Sequence, residues 1–207
     1  DAVEGIMPQT ETVVRQAVKE LVKPVLFINK VDRLIKELKL TPEQMQERFL
    51  KIITNVGKFL RSIVPDEYKD KWVIDVAEGS VAFGSAFHNW ALSVKYMKEH
   101  NITFKDVIDA YNGDEEKIKE LAEKAPLHEV VLDMVIEHLP NPVTAQAYRI
   151  PNIWHGELDS EFGKSLTSCN PKGPLAFVIT KIVVDPQAGE ISAGRLFSGT
   201  LKRGEEV

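Results

Sequence analysis

The tetrapeptide Asn-Lys-Val-Asp at residues 29–32 has side chains whose types and spacing can recognise a guanine base. Guanine presents an N1–H and an exocyclic N2 amine on one edge, and the ionised carboxylate of Asp32 can accept a hydrogen bond from each. Adenine lacks this pair of donors, so a buried carboxylate would reject it by ~10⁴ or more. We predict that Asn29 braces neighbouring loops and reaches the base. The aliphatic stem of Lys30 is predicted to lie over the ring while its ammonium stays hydrated.

A second short loop, Gly84-Ser85-Ala86, is the other candidate part of this site. Its small residues can present backbone N–H groups to the O6 acceptor of guanine. A Gly-Ser-Ala turn is common, so the signal depends on position. The loop comes two strand-like segments after the tetrapeptide, and we expect it at the same sheet edge. A plain polar loop without a ligand is the alternative interpretation of the tetrapeptide.

The other reactive residue types form no catalytic or metal-binding pattern. Gly163-Lys164-Ser165 is not preceded by a buried strand, and Leu158 stands where a phosphate-binding loop has its first glycine. His128 has no second histidine at the zinc-protease spacing, and Cys169 is the only cysteine. The sequence therefore predicts no metal site and no catalytic residue.

The elements around the two loops predict an α/β fold. An apolar stripe with helical spacing runs over 8–22, and the short apolar run 25–28 is typical of a strand buried on both faces. The tetrapeptide follows that strand at its carboxyl end, where open α/β sheets bind ligands. Thr41 and Gln44 predict a capped start to a long helix. Further strands are predicted at 72–76 and 80–83, and further helices at 102–111, 114–124 and 127–139.

The chain changes character after this last helix. A stretch rich in Pro, Asn, Gly and Ser predicts a linker over 146–172. Strand-like alternation then predicts strands at 175–185 and 190–197 and a third that begins at 199. Strands without intervening helices are typical of an antiparallel barrel or sandwich.

Composition narrows the classes of protein. The 207 residues are 43% hydrophobic and 28% charged, as in ordinary globular proteins, and no apolar run approaches the ~20 residues of a membrane span. A net charge of −5 argues against a globally basic nucleic-acid binder. The single cysteine and the absence of a signal peptide predict a reducing, cytoplasmic location. Because the sequence opens without Met and ends within a strand-like pattern, we expect a piece of a larger protein.

Three segments, in order, resemble the translational GTPase family. Residues 1–12 resemble the segment that follows the switch regions, 25–33 the guanine-specificity strand and loop, and 194–204 the signature of the second-domain barrel. Residues 80–90 and 126–142 make the resemblance closest to the translocating elongation factors of archaeal type, the counterpart of bacterial elongation factor G.

This resemblance implies a ribosome-dependent GTPase that promotes movement of tRNA and mRNA and binds GTP and GDP. Residues 1–145 would be the carboxyl-side half of the GTPase domain, a partial P-loop GTPase-like sheet with helices on both faces and an inserted subdomain at about 95–125. Residues 173–207 would begin an antiparallel β-barrel that faces the small ribosomal subunit, and the insert would be a candidate dock for stalk proteins. The nucleotide-binding residues would be Asn29, Lys30, Asp32, Ser85 and Ala86.

The resemblance also implies what these residues would not do alone. The phosphate loop, the switch segments and the Mg²⁺ ligands of the family are expected upstream of Asp1, so we predict that the 207 residues hydrolyse no GTP by themselves. The partial barrel is predicted to expose unpaired strand edges. Two alternatives remain open. One is another translational GTPase, such as a termination or rescue factor. The other is a non-enzymatic module that docks on the ribosome or its stalk through the acidic stretch 109–123. No membrane or DNA partner is expected.

Overall fold

A three-stranded sheet positions the residues that the sequence singles out. In a computed structural model, which describes residues 1–206, β1 (Leu26–Ile28) pairs in parallel with β2 (Val81–Ser85), and β2 pairs antiparallel with β3 (Trp90–Ser93). Every residue of β2 and β3 is buried, which explains why this stretch is apolar or small throughout instead of alternating. Because β1 and β2 run in the same direction, the two candidate loops follow them at the same edge of the sheet.

The chain divides into two units, one from Asp1 to Leu139 and one that begins at Pro140. The first unit is mixed α/β, as predicted. Its helices are α1 (Pro8–Lys19), α2 (Val31–Lys36), α3 (Pro42–Ile63), α4 (Val94–His100), α5 (Phe104–Asn112), α6 (Glu115–Lys124) and α7 (Leu127–His138), with a 3₁₀ turn at Asp66–Tyr68. None of the helices among residues 1–206 has the length and apolar character needed to cross a bilayer.

Helix α3 has the capped start and the buried apolar stripe that the sequence predicts. Thr41 Oγ1 accepts a hydrogen bond from the Gln44 N–H, and the Gln44 side chain accepts one from the Thr41 N–H at 3.0 Å. This capping box satisfies amides that the first helical turn leaves without partners. The apolar stripe is buried at Met45, Phe49, Ile52, Val56 and Leu60.

The strand predicted at 72–76 is wrong. Burial does alternate there, because Trp72 is buried and Val73 is exposed. The Trp72 ring stacks on the Tyr68 ring, with 4.6 Å between the ring centroids. No ladder forms, however, because Asp75 starts a turn. Its carboxylate accepts the N–H groups of Ala77 and Glu78 at 2.7 and 3.3 Å. Such local side-chain bonds compete with strand pairing.

Strand β3 and the helices α2 and α4 were not predicted. Residues 86–89 form a tight turn in which Asn89 has a left-handed backbone (φ 62°), so β3 folds straight back on β2. Gly84 permits this close return, since a Cβ there would lie 2.3 Å from the Trp90 carbonyl oxygen. Ser93 then caps α4 by accepting the Tyr96 N–H at 3.1 Å. The strand is too short, and the helix follows too directly, for either to show a clear sequence period.

The linker predicted over 146–172 is also wrong, because the second unit contains helices α8 (Pro142–Ile153) and α9 (Glu161–Thr167). Polar side chains cap both helices. Asn141, just before the predicted linker, accepts the Thr144 N–H at 2.9 Å, and Ser160, inside it, accepts the Gly163 N–H at 3.0 Å. Gly163 lies inside α9, where a Cβ would meet the Glu157 carbonyl at 2.5 Å. The Gly-Lys-Ser string thus serves helix packing.

The second unit ends in a long hairpin of β4 (Ala176–Asp185) and β5 (Gly189–Ser198), paired antiparallel. The carboxylate of Asp185 accepts the N–H groups of Gln187 and Ala188, both at 2.8 Å, and fixes the turn. Residues 199–206 form no strand, so the third predicted strand is not found in the described part, and Val207 lies outside it. Large apolar side chains along the hairpin are exposed, among them Val178, Ile179, Ile182 and Val184.

Candidate functional site

Asn29 joins the two predicted loops. Its side-chain oxygen accepts the Ala86 N–H at 3.0 Å, across 57 residues of sequence, and the Lys30 N–H at 2.7 Å. Its main-chain carbonyl accepts the Ala2 N–H at 2.8 Å. Asn29 therefore braces three chain segments at the carboxyl edge of β1, whereas its predicted contact with a base stays a prediction.

Lys30 adopts a left-handed backbone, with φ 68° and ψ 37°, just before α2. This conformation costs a non-glycine residue roughly 1–2 kcal/mol, and backbone strain of this kind concentrates at functional sites. The Lys30 ammonium pairs with the Asp1 carboxylate at 2.8 Å, and the Lys30 side chain is half exposed. The Lys30 ammonium was predicted to stay hydrated. In the structure it is only partly hydrated, because it also forms this ion pair with Asp1.

Asp32 lies in the first turn of α2, and its Oδ1 atom is buried without a hydrogen-bond partner. Within residues 1–206, only one other buried side-chain nitrogen or oxygen, His138 Nε2, lacks a partner. Leaving a charged acceptor buried and unpaired costs more than the ~1–3 kcal/mol of a neutral group. Such an atom is therefore suited to a ligand that brings its own donors.

The predicted loop Gly84-Ser85-Ala86 differs from its predicted geometry, because Gly84 and Ser85 belong to β2 and only Ala86 lies in the turn. The Ala86 N–H, expected to face a base, donates to Asn29 instead. The next amide, that of the highly exposed Phe87, makes no hydrogen bond within residues 1–206 and is the loop donor still available. Ser85 is fully buried, and its Oγ accepts the His88 N–H at 3.2 Å. Ser85 thus shapes the turn, and Phe87 is a candidate that sequence reasoning missed.

Sequence reasoning also missed a cluster of His88, Trp90 and Tyr111 beside this loop. The Trp90 Nε1–H donates to the Tyr111 hydroxyl oxygen at 2.9 Å, and that hydroxyl lies 3.1 Å from His88 Nδ1. Burial and the nearby Lys36 charge lower the pKa of His88, against the opposing charge of Asp32. Burial raises the pKa of Tyr111 to about 12. The position of His88, three residues after Ser85, was the signal in the sequence that could have identified it.

The described residues contain no group of three or more His, Cys, Asp or Glu side chains arranged to hold a metal ion. Cys169, in the second unit, contacts the Pro142 carbonyl at 3.4 Å. Burial raises the pKa of its thiol, which keeps it protonated and weakly nucleophilic.

Comparison with known proteins identifies the family of this chain. A family model described as the elongation factor Tu GTP binding domain matches residues 1–141. The chain belongs to the elongation factor Tu GTP-binding domain family. The match includes all five predicted nucleotide-binding residues and stops close to the end of the first unit.

Curated relatives of this chain are elongation factor 2 proteins. The one from Thermococcus sibiricus is 63% identical over 207 residues, and that from Methanococcus aeolicus is 65% identical over 206. That from Methanocaldococcus jannaschii is 64% identical over 206 residues. Each alignment covers the whole chain but only 28% of the relative. The predicted resemblance to translocating elongation factors of archaeal type is confirmed.

Proposed function

We propose that these residues belong to a ribosome-dependent GTPase that promotes movement of tRNA and mRNA, and that the edge of its sheet reads the guanine base of GTP and GDP. The observation that carries the base-reading proposal is the buried, partnerless Oδ1 of Asp32, beside two loops that Asn29 ties together. The names of the relatives support the translational role.

In the proposed complex, the Asp32 carboxylate accepts the guanine N1–H and the N2 amine, which pairs the orphaned oxygen. The O6 acceptor on the same edge takes a backbone N–H of the 85–87 loop, for which the Phe87 amide is available. The aliphatic stem of Lys30 lies over the base plane. Adenine would leave Asp32 unpaired, which is the physical basis of guanine selectivity.

The phosphate and Mg²⁺ contacts are proposed to come from outside this chain. The 207 residues contain no Gly-x-x-x-x-Gly-Lys-Ser/Thr string, and phosphoryl transfer depends mainly on clamping the phosphates. We therefore propose that these residues alone bind nucleotide weakly and hydrolyse none.

The partner surfaces extend the same proposal. The β4–β5 hairpin would begin the barrel domain that faces the small ribosomal subunit, and its exposed Val and Ile side chains support further strands packing over it. Segment 95–125, which contains α5, α6 and all but the first residue of α4, would be the inserted subdomain and a dock for stalk proteins. The exposed acidic residues of α6, Glu115, Glu116 and Glu120, support this role. The proposed location is the cytoplasm.

The test is equilibrium binding of fluorescent GDP, GTP and ADP to the 207 residues and to the full-length protein in parallel, with ribosome-stimulated GTP hydrolysis as a second readout. We expect the full-length protein to bind GDP and GTP in preference to ADP and to hydrolyse GTP. The 207 residues alone should bind nucleotide far more weakly than the full-length protein and hydrolyse no GTP.

Failure of the full-length protein to bind any guanine nucleotide would contradict the proposal and favour a docking module without nucleotide. In that case, charge reversal of Glu116 and Glu120 would abolish ribosome binding while substitution of Asp32 had no effect.

A further inference from the structure

A chain of hydrogen bonds connects helix α5 to the loop that carries Ser85 and Ala86. It runs from Trp90 Nε1 to the Tyr111 hydroxyl at 2.9 Å and from that hydroxyl to His88 Nδ1 at 3.1 Å. The same Nδ1 lies 3.2 Å from Ser85 Oγ, which in turn accepts the His88 N–H. Trp90 and Ser85 are fully buried, and Tyr111 is nearly so. The chain thus links an interior tryptophan to the end of β2.

The donor and acceptor roles along this chain follow from chemistry. The indole N–H of Trp90 can only donate, so the Tyr111 oxygen accepts. The hydroxyl hydrogen of Tyr111 then needs an acceptor, and two side chains can supply one: His88 Nδ1, 3.1 Å away, and Ser85 Oγ. When Nδ1 accepts this hydrogen, His88 is neutral with its own hydrogen on Nε2, the charge state that its lowered pKa also favours. If Nδ1 carried a proton, it would aim a donor at the two hydroxyls, and Tyr111 would lose this acceptor.

We propose that Tyr111, acting through His88, is a positioning residue for the Ser85-Ala86 loop, so that guanine recognition depends on helix α5 of segment 95–125. The inference rests on the proposed guanine site. Asn29 holds this loop from the β1 side through the Ala86 N–H, and the Tyr111–His88 pair holds it from the α5 side. Residues on two separate elements thus fix the donors of one short turn, as a binding loop requires.

The charges around His88 define its behaviour with pH. Lys36, on α2, favours neutral His88 and also lies 5.4 Å over the Tyr111 ring. Asp32 and Glu115 favour the protonated form, but burial and Lys36 prevail, so the pKa is lowered. His128 is the other histidine that lines the same open groove as His88. The hydrogen-bond chain is therefore intact at pH 7 and breaks only as pH falls below the ordinary histidine pKa of about 6.5.

The test measures GDP and inosine diphosphate (IDP) affinities of full-length variants by competition with a fluorescent nucleotide. Tyr111→Phe removes the hydroxyl and should weaken GDP and IDP binding alike by about fivefold to tenfold. Tyr96→Phe is the matched control, because Tyr96 is an equally buried tyrosine whose hydroxyl contacts the Lys124 carbonyl and Glu129 instead. It should change either affinity by less than about twofold.

The pH profile separates positioning from general destabilisation. Wild-type GDP affinity should fall by about fivefold between pH 7.5 and 5.5. His88→Asn, which retains an acceptor near the position of Nδ1, should keep the affinity at pH 7.5 but lose this fall. His128→Asn should leave the fall in place.

The outcomes distinguish a failure of the proposed guanine site from a failure of the positioning role of Tyr111. Asp32→Asn should lower the GDP-to-IDP affinity ratio, because only guanine has the N2 amine, whereas Tyr111→Phe should leave that ratio unchanged. If Asp32→Asn has no effect on base selectivity, the proposed guanine site itself fails. If Asp32→Asn acts as expected but Tyr111→Phe behaves like Tyr96→Phe, or the fall with pH persists in His88→Asn, the positioning role is overturned and the guanine site stands.

Discussion

Replacing Asn29 by Ala removes the one side-chain oxygen that ties the two base-reading loops together. The variant loses the hydrogen bonds from the Ala86 N–H at 3.0 Å and the Lys30 N–H at 2.7 Å. Each is worth a net ~0.5–1.5 kcal/mol. Lys30 and Ala86 are both exposed, so water can replace the lost acceptor, and the loss in folding free energy should stay near ~1 kcal/mol.

The loss in nucleotide affinity should be larger, because an untied 85–87 loop must be ordered again on binding. We expect GDP binding by full-length Asn29→Ala to weaken by about tenfold, which corresponds to 1.4 kcal/mol. Asn29→Asp keeps the acceptor and should restore binding if Asn29 acts only as a brace. Failure of Asp to restore it would indicate that the amide N–H₂ also contacts the base.

The assay is competition binding at 25 °C with a thermal melt of each variant. Asn141→Ala is the matched control, since it removes a comparable side-chain acceptor, at 2.9 Å from the Thr144 N–H, in the second unit. It should lower the melting temperature without changing GDP affinity. If Asn29→Ala binds GDP within about twofold of wild type, the claim that this brace organises the site is refuted.

Three further expectations concern stability. Gly84→Ala should lower the free energy of unfolding by at least ~2 kcal/mol in a denaturant titration, because the new Cβ would lie 2.3 Å from the Trp90 carbonyl oxygen. An unchanged denaturation midpoint would show that β2 and β3 can move apart to make room for the methyl group. Gln146→Leu should destabilise the second unit by ~1–3 kcal/mol, because the buried amide donates to two main-chain carbonyls at 2.5 and 2.6 Å, and native-state hydrogen exchange should locate the loss there. Hydrogen bonds from Thr103 lower the pKa of Asp106, so its stabilising contribution is present above the unfolded-state pKa of about 4 and is lost as pH falls through the lowered value. Thr103→Ala should reduce that acid dependence, and an unaltered acid unfolding curve would exclude the cap as its source.

The sequence predicted those helices and strands for which the capping residues and the pattern of apolar residues indicate the same structure. The capping box at Thr41, the strand before Asn29 and the strand predicted at 80–83 each have a signal of several adjacent residues. The first strand is less buried than predicted, since Leu26 and Phe27 are only half-buried and Ile28 alone is buried. The relation between the two loops was predictable because parallel strands deliver their carboxyl ends to one edge. The brace between Asn29 and Ala86 follows from that relation.

The errors arose where one residue type serves two structures. Ser160 was taken as a linker residue, yet it caps a helix, and nothing in composition alone separates these uses. Residues 72–76 alternate like a strand, but a strand needs a partner with free hydrogen-bonding groups. The cluster of His88 and Tyr111 joins residues from a turn and a helix 23 apart, a contact that only the tertiary fold creates.

The measurement that tests the central claim most directly is the base preference of full-length Asp32→Asn. Xanthine carries a carbonyl where guanine has its N2 amine, and an Asn side-chain N–H₂ can donate to that oxygen whereas the Asp32 carboxylate cannot. Competition with GDP and xanthosine diphosphate (XDP) should show that wild type prefers GDP and that the variant gains affinity for XDP while losing it for GDP. A variant that keeps the wild-type preference for GDP over XDP would contradict the assignment of Asp32 as the residue that reads guanine.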